Sequence, residues 1–248
     1  MSLKEFKDSA MEFKKELERE MLIRKYQAML EGKLSFEQRL ESWFFKAKTF
    51  LVRYWRSIVK RLLDLSLSAV AIFLAFPLMF VIAIVIKLSS KGPVFYRQMR
   101  TGRYGKTFEI LKFRSMSVDA EKTTGPVWAR QNDPRITPIG RFLRKTHLDE
   151  LPQFLNVLKG EMSIVGPRPE RPYFVSELKA AIPQYEKRLI AKPGITGLAQ
   201  LKRHYDESIK DVKNKVRYDV LYVRKMCPLL DVKLIVMTFG AVVLRTGR

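Results

Sequence analysis

LLDLSLSAVAIFLAFPLMFVIAIVIKL, residues 62 to 88, carries only two charges, Asp64 and Lys87, one near each end. The uncharged core between them, Leu65 to Ile86, matches the ~20 apolar residues a helix needs to cross the hydrocarbon of a bilayer. It lies too deep in the chain for a cleavable leader peptide. A membrane-embedded helix therefore organises the fold. Pro77 sits at its middle, where the missing N–H and a clash with the carbonyl four residues back kink a helix. Both flanks are basic, with Lys46, Lys48, Arg53, Arg56, Lys60 and Arg61 before it and Lys87, Lys91, Arg97, Arg100, Arg103 and Lys106 after it. A spanning helix leaves one flank poor in Lys and Arg. A helix that dips in, bends at Pro77 and returns to the same face satisfies both observations; a spanning helix with a tolerated proline is the competing reading. Labelling of a cysteine placed near Lys48 in intact cells separates the two, since extracytoplasmic exposure excludes the dip.

The rest of the composition narrows the partners. With 47 Lys and Arg against 25 Asp and Glu, the formal charge is +22, which points to nucleic acid, anionic lipid or phosphorylated small molecules. The apolar segment favours the last two. The single Cys227 makes no intrachain disulfide and suits a reducing compartment. With only His147 and His204 besides, any metal is a hard cation on carboxylates.

Working outward, the chain divides into an N-terminal arm (1–60), the membrane helix (61–90) and a catalytic domain (91–248). Interleaved Glu and Lys with Phe6, Met11, Phe13, Leu17, Met21 and Leu30 at helical spacing predict an amphipathic helix over 4–30, ended by Gly32. Ser35 and Gln38 form a capping box for a second helix through Trp43, Phe44, Phe45 and Trp55, aromatics suited to the headgroup level. The arm reads equally as a lipid-surface element and as a solvated hairpin for homo-oligomerisation. After Gly92 and Pro93, the runs Val94 to Arg97 and Thr107 to Phe113, joined through Gly102 and Gly105, predict a small β-hairpin. Helical spacing returns over 152–158, 173–181, 183–191 and 206–226. The apolar run 229–244 contains Asp231 and Lys233 and is short for a span, so it reads as an interfacial or core helix. The fold class expected is α+β, mostly helical: a monotopic membrane protein with a Pro77-kinked re-entrant helix, interfacial amphipathic helices and one hairpin.

RFLRKTHLDELPQ, residues 141–153, sets Arg141, Arg144 and Lys145 within about two helical turns of the acidic pair Asp149 and Glu150. Carboxylates beside cations stay ionised, ready as nucleophile or metal ligand. A capping box of Thr146 with Asp149 is the plainer alternative. It would leave Pro152 past the first turn, whereas proline prefers the first helical position, so the pair more naturally precedes a helix N-terminus. That position favours a bound phosphate. In GPRPE, residues 166–170, Pro167 and Pro169 restrict Arg168 and can aim its guanidinium at phosphate oxygens; a stiff loop is the bland alternative. Lys112 and Arg114 alternate with Phe113, so both cations share a face. KPGITGLAQ, residues 192–200, is a Gly-containing turn beside a cation.

In this order these stretches resemble the bacterial sugar transferases known as monotopic polyprenyl-phosphate phosphoglycosyl transferases, from about Lys60 to Leu244. Carrying the resemblance are KRLLD with the apolar stretch and Pro77, GPVFYRQ with GRYGK, KFRSM, NDPRITPIGRFLRKT, LDELPQFLNVLKGEMSIVGPRP and KPGITGLAQ. The family implies that an aspartate attacks the β-phosphate of a nucleotide-sugar donor, and that polyprenyl phosphate then accepts the phospho-sugar. Asp149 matches the nucleophile and Glu150 its Mg2+-binding neighbour. Arg144 and Arg168 match positions that hold phosphate oxygens; Lys112, Arg114 and Arg141 also match. The resemblance further implies a catalytic domain on the cytoplasmic face of a bacterial inner membrane and a short, catalytically complete form. Two departures stand out: Phe76, not Ser, precedes Pro77, and LKRHY (201–205) replaces an Asn-Gly-Arg turn. Competing functions are a membrane-tethered polyanion-binding scaffold and an aspartyl-phosphate hydrolase. A nucleic-acid binder would gather its cations on one face among aromatics, and here they are spread along the chain.

Overall fold

The computed structural model describes Glu20, Ile23, residues 36–118, Ala120, 133–202 and 209–243. The helix expected over 4–30, the Ser35 cap, His204 and most of LKRHY lie outside these residues. The chain forms two compact units, Met1–Trp55 and Arg56–Arg248. In the first, Trp43 and Phe44 are exposed and meet edge to face at 5.2 Å.

Helix α1 runs from Phe36 to Ser89, joining the second and third expected helical segments into one. Its Tyr54–Ser89 portion is long and apolar enough to cross a membrane by length and composition. Large apolar side chains such as Phe73, Leu74 and Phe80 stay exposed along it. The helix runs on through Pro77, which lies inside it. Proline removes one N–H, and a long apolar helix tolerates that single loss.

The hairpin forms as expected, from β1 (Phe95–Thr101) and β2 (Thr107–Phe113), paired antiparallel from Phe95 opposite Phe113 to Thr101 opposite Thr107. β1 outruns the apolar stretch that suggested it because every β2 residue has a partner. Tyr104, at φ 57°, and Gly105, at φ 79°, supply the positive φ in the turn. Helix α2 (Pro138–Lys145) opens on Thr137, whose Oγ1 accepts from Gly140 N at 3.0 Å, with Pro138 in the first turn. Helix α3 (Gln153–Lys159) ends on Gly160, at φ 87°. Then follow β3 (Ser163–Val165), α4 (Pro172–Ala181), β4 (Gly194–Thr196), α5 (Leu198–Lys202), α6 (Ile209–Lys225) and α7 (Pro228–Val243). Residues 185–190 form a 3-10 turn instead of the expected α-helix.

β3 and β4 pair in parallel, and the main core gathers around them, from Phe108, Val157, Met162, Ile164, Tyr222 and Leu234. A second core sets Ile82 and Ile86 of α1 against Phe113 and Leu143. The end of the apolar helix thus rests on β2 and α2, the elements flanking the acidic pair. α7 keeps Asp231 and Leu234 buried and leaves Leu229, Val236 and Phe239 exposed.

Candidate active site

Thr146 closes α2, donating from Oγ1 to the carbonyls of Phe142 at 2.9 Å and Leu143 at 3.2 Å. It does not open a helix with Asp149. His147 follows in the left-handed region at φ 57°, and the chain turns through a 3-10 turn, Leu148–Glu150, before α3. The pair therefore precedes a helix, as its spacing with Pro152 suggested.

The two carboxylates have opposite surroundings. Lys112 Nζ donates to Glu150 Oε1 at 2.7 Å, and Arg168 Nη2 donates to the same oxygen at 2.8 Å. Burial works against the Glu150 charge, but Arg168 and Lys112 outweigh it and hold the carboxyl well below the usual range. Burial lowers Lys112, with Glu150 opposing, and the Glu150 charge raises Arg168. Asp149 is buried and has no ion pair within 4 Å among the described residues. Burial pushes its carboxyl up to about 6; Lys112 opposes, the Glu150 charge adds, and Arg144 and Arg168 oppose.

Arg144 thus acts on Asp149 through its field, from the last turn of α2. Arg141 lies on the exposed face of the same helix, and no ion pair joins it to Asp149 or Glu150 among the described residues. Arg114 is drawn elsewhere. It donates to Lys91 O at 3.0 Å and to Ser90 O at 2.9 Å and Ser90 Oγ at 2.8 Å, satisfying carbonyls at the end of α1. Lys112 and Arg114, two residues apart, serve different places.

The loop carrying Arg168 is fixed carbonyl by carbonyl. Pro167 O accepts from Gly194 N at 2.9 Å, Arg168 O from Arg188 Nη2 at 2.7 Å, Pro169 O from Arg100 Nη1 at 3.1 Å, and Glu170 O from Thr101 N at 2.8 Å. Gly166 N donates to Thr196 O at 2.9 Å. A Cβ on Gly194 would collide with the Gly166 backbone, so the KPGITG turn is a brace packed on the GPRP loop.

KRLLD fastens α1 to the strand that leads into this loop. Lys60 Nζ meets Asp231 Oδ2 at 2.7 Å and Val165 O at 3.1 Å. Arg61 donates to Val157 O and Leu158 O at the end of α3, at 2.7 and 2.9 Å. Asp64 Oδ1 accepts from Ser163 Oγ and Ile164 N, both at 3.0 Å.

Among the described residues no three His, Cys, Asp or Glu side chains gather as a metal site. Magnesium keeps several waters and takes one or two carboxylates plus substrate phosphates. Asp149 and Glu150, with Glu150 Oε2 outside both ion pairs, fit such a shared cation; they do not fit a fully protein-held centre.

The family model described as bacterial sugar transferase matches residues 55–245. The chain belongs to the bacterial sugar transferase family. Among similar proteins, a UDP-glucose:undecaprenyl-phosphate glucose-1-phosphate transferase of Klebsiella pneumoniae is 44% identical over 183 residues, 73% of this chain and 39% of the relative. A UDP-N-acetylgalactosamine-undecaprenyl-phosphate N-acetylgalactosaminephosphotransferase of Aeromonas hydrophila is 40% identical over 191 residues, 77% of this chain and 45% of the relative. A putative undecaprenyl-phosphate N-acetylgalactosaminyl 1-phosphate transferase of Bacillus subtilis is 45% identical over 152 residues, 61% of this chain and 82% of the relative. The chain thus spans less than half the length of the first two.

Within this member of the family, sequence reasoning missed Arg100 and Arg188, which hold the GPRPE loop by its backbone, and Asp219, which holds Arg188 at 2.8 Å. Lone charged residues on a strand or inside helical periodicity give little sign of such use.

Proposed function

We propose that the protein transfers a sugar-1-phosphate from a UDP-sugar to undecaprenyl phosphate at a membrane surface. The transfer passes through a covalent phospho-sugar intermediate on Asp149 and begins assembly of an exopolysaccharide or other glycoconjugate. The observation that carries this reading is a buried Asp149 without an ion-pair partner beside a Glu150 held ionised by Lys112 and Arg168. An Asp149 carboxylate oxygen attacks the β-phosphorus of the donor. The bond from that phosphorus to the bridging oxygen breaks, and the oxygen leaves with the electron pair on the nucleoside monophosphate. An oxygen of the lipid phosphate then attacks the same phosphorus, the bond to Asp149 breaks, and the carboxylate is restored. Arg168 and Arg144 offset charge on the phosphate oxygens, the planar fork of Arg168 from a loop whose carbonyls are each hydrogen-bonded. Glu150 would hold magnesium, which would supply charge neutralisation for attack by an anion.

Both ends of the apolar stretch are bound to one unit, through Lys60, Arg61 and Asp64 at its start and Ile82 and Ile86 at its end. This supports a helix that dips into the membrane and returns to the cytoplasmic face of the bacterial inner membrane. The exposed apolar face of α7 and the charge of +22 suit seating on anionic lipid.

Purified protein given UDP-sugar labelled in the β-phosphate should retain label, release it to undecaprenyl phosphate, and lose both behaviours in Asp149→Asn. Transfer that survives in Asp149→Asn overturns the assignment. A screen of UDP-sugars for released nucleoside monophosphate identifies the donor.

A further inference from the structure

The buried ion pair of Arg188 and Asp219, remote in sequence from the acidic pair, reaches the clamp loop by a single backbone bond. Arg188 sits on the 3-10 turn 185–190, with a side chain only 6% exposed. Its Nε donates to Asp219 Oδ2 at 2.8 Å, its Nη1 to the Tyr185 hydroxyl at 2.9 Å, and its Nη2 to Arg168 O at 2.7 Å. All three nitrogens are engaged. Asp219, on α6, is 2% exposed.

Such a pair contributes little net stability, because desolvating both ions offsets their attraction, and well-packed apolar replacements are often neutral or stabilising. Stability alone is thus a weak account of it, whereas its third bond fixes a backbone group. Pro167 and Pro169 restrict the backbone on either side of Arg168, and the Arg188 bond fixes the carbonyl of Arg168 itself. The side chain of Arg168 is 46% exposed and meets Glu150 only at its tip, so its aim depends on that ion pair and on its backbone more than on packing around the guanidinium.

We propose that Arg188, held by Asp219, is a positioning residue that fixes the Arg168 peptide so that the guanidinium meets the transferred phosphate in register. This inference rests on Arg168 acting at that phosphate. The test is a set of variants measured for turnover, donor KM and thermal midpoint. Arg168→Ala should lower kcat by about 10²–10³-fold, as removal of a transition-state donor does. Arg188→Met combined with Asp219→Leu deletes both buried charges together, and should fold with a midpoint near that of the parent. Its kcat should fall about 10- to 100-fold, the scale set by a misplaced catalytic group, with donor KM changed less than about threefold. Adding Arg168→Ala to that pair should cost no more than Arg168→Ala alone, because the pair acts through Arg168. Arg188→Lys, which retains a donor and the ion pair, should recover part of the rate. A folded Met/Leu variant with parental kcat overturns the proposal, as do losses that multiply with Arg168→Ala. An Arg168→Ala enzyme as fast as the parent removes the clamp reading itself, and the positioning role with it. Should the Met/Leu variant fail to fold, Arg188→Lys carries the same cycle, and multiplicative losses there overturn the proposal equally.

Discussion

Strand β3 and the loop after it run between two buried charge clusters built on opposite rules. At the start of the apolar stretch of α1 the carboxylates are matched. Asp64 accepts two donors, and Asp231 accepts Lys60 at 2.7 Å and the Tyr222 hydroxyl at 2.7 Å. At the acidic pair, Glu150 takes two cations on one oxygen while Asp149 has no ion pair among the described residues. A satisfied buried network is an anchor, and a buried carboxylate left short of partners is held in a state that reaction relieves. The sharpest way to break the contrast is Asp149→Asn. Loss of the nucleophile should remove more than about 10⁴-fold of turnover. Stability should move the other way. Asp149 rises from its usual 3.8 to about 6 in the fold, so the folded state holds its proton more tightly than the unfolded chain does. The ionised form costs stability above pH 6, and the cost disappears below pH 3.8. At pH 8 the Asn variant should therefore gain roughly 1–3 kcal/mol, read by thermal or denaturant unfolding.

Asp231→Ala tests the other cluster. It strands Lys60, whose side chain is 18% exposed, and the Tyr222 hydroxyl, and should cost about 3–5 kcal/mol of stability. Turnover per folded molecule should stay close to that of the parent, measured below the unfolding transition. A variant that folds normally but turns over slowly would show that the anchor also acts on the chemistry. Glu150→Gln is the intermediate case. It removes the negative charge that Lys112 and Arg168 share and should lower kcat by about 10²-fold, with a smaller change in donor KM. The charges of Lys112 and Arg168 then act on Asp149 without Glu150 opposing them, which erases part of the difference between the pair.

Much of this contrast was visible in the sequence, unevenly. The acidic pair and its place ahead of α3 followed from Pro152, because proline's preference for a helix start is local chemistry. The hairpin followed from alternation and glycine. The parallel pair β3 and β4 did not, since three-residue strands carry too little periodicity, and their pairing joins residues about thirty positions apart. Lys112 and Arg114 share one face of a strand in sequence, yet the fold sends one to Glu150 and the other to the end of α1, which packs Ile86 in one cluster with Phe113. Pro77 marked the middle of the apolar stretch, and it lies inside a helix that continues on both sides of it. Arg188 and Asp219 were illegible for a similar reason: their meaning lies in a backbone carbonyl that long-range packing brings to them.

The smallest expected effect bears most directly on the asymmetry of the pair. If Asp149 attacks as the carboxylate, donor kcat/KM should fall as pH drops through about 6, with unit slope and about tenfold lost at pH 5. Release of nucleoside monophosphate without lipid acceptor isolates the step in which Asp149 reacts. Burial is the main cause of the raised carboxyl, and the Glu150 charge adds to it, so Glu150→Gln should move the inflection down while lowering the plateau. Substitution at Asp231, outside the pair, should leave the inflection in place. An inflection unmoved by Glu150→Gln would mean that burial alone sets the Asp149 carboxyl, and that Glu150 shapes the site through Lys112 and Arg168 instead of through its own charge.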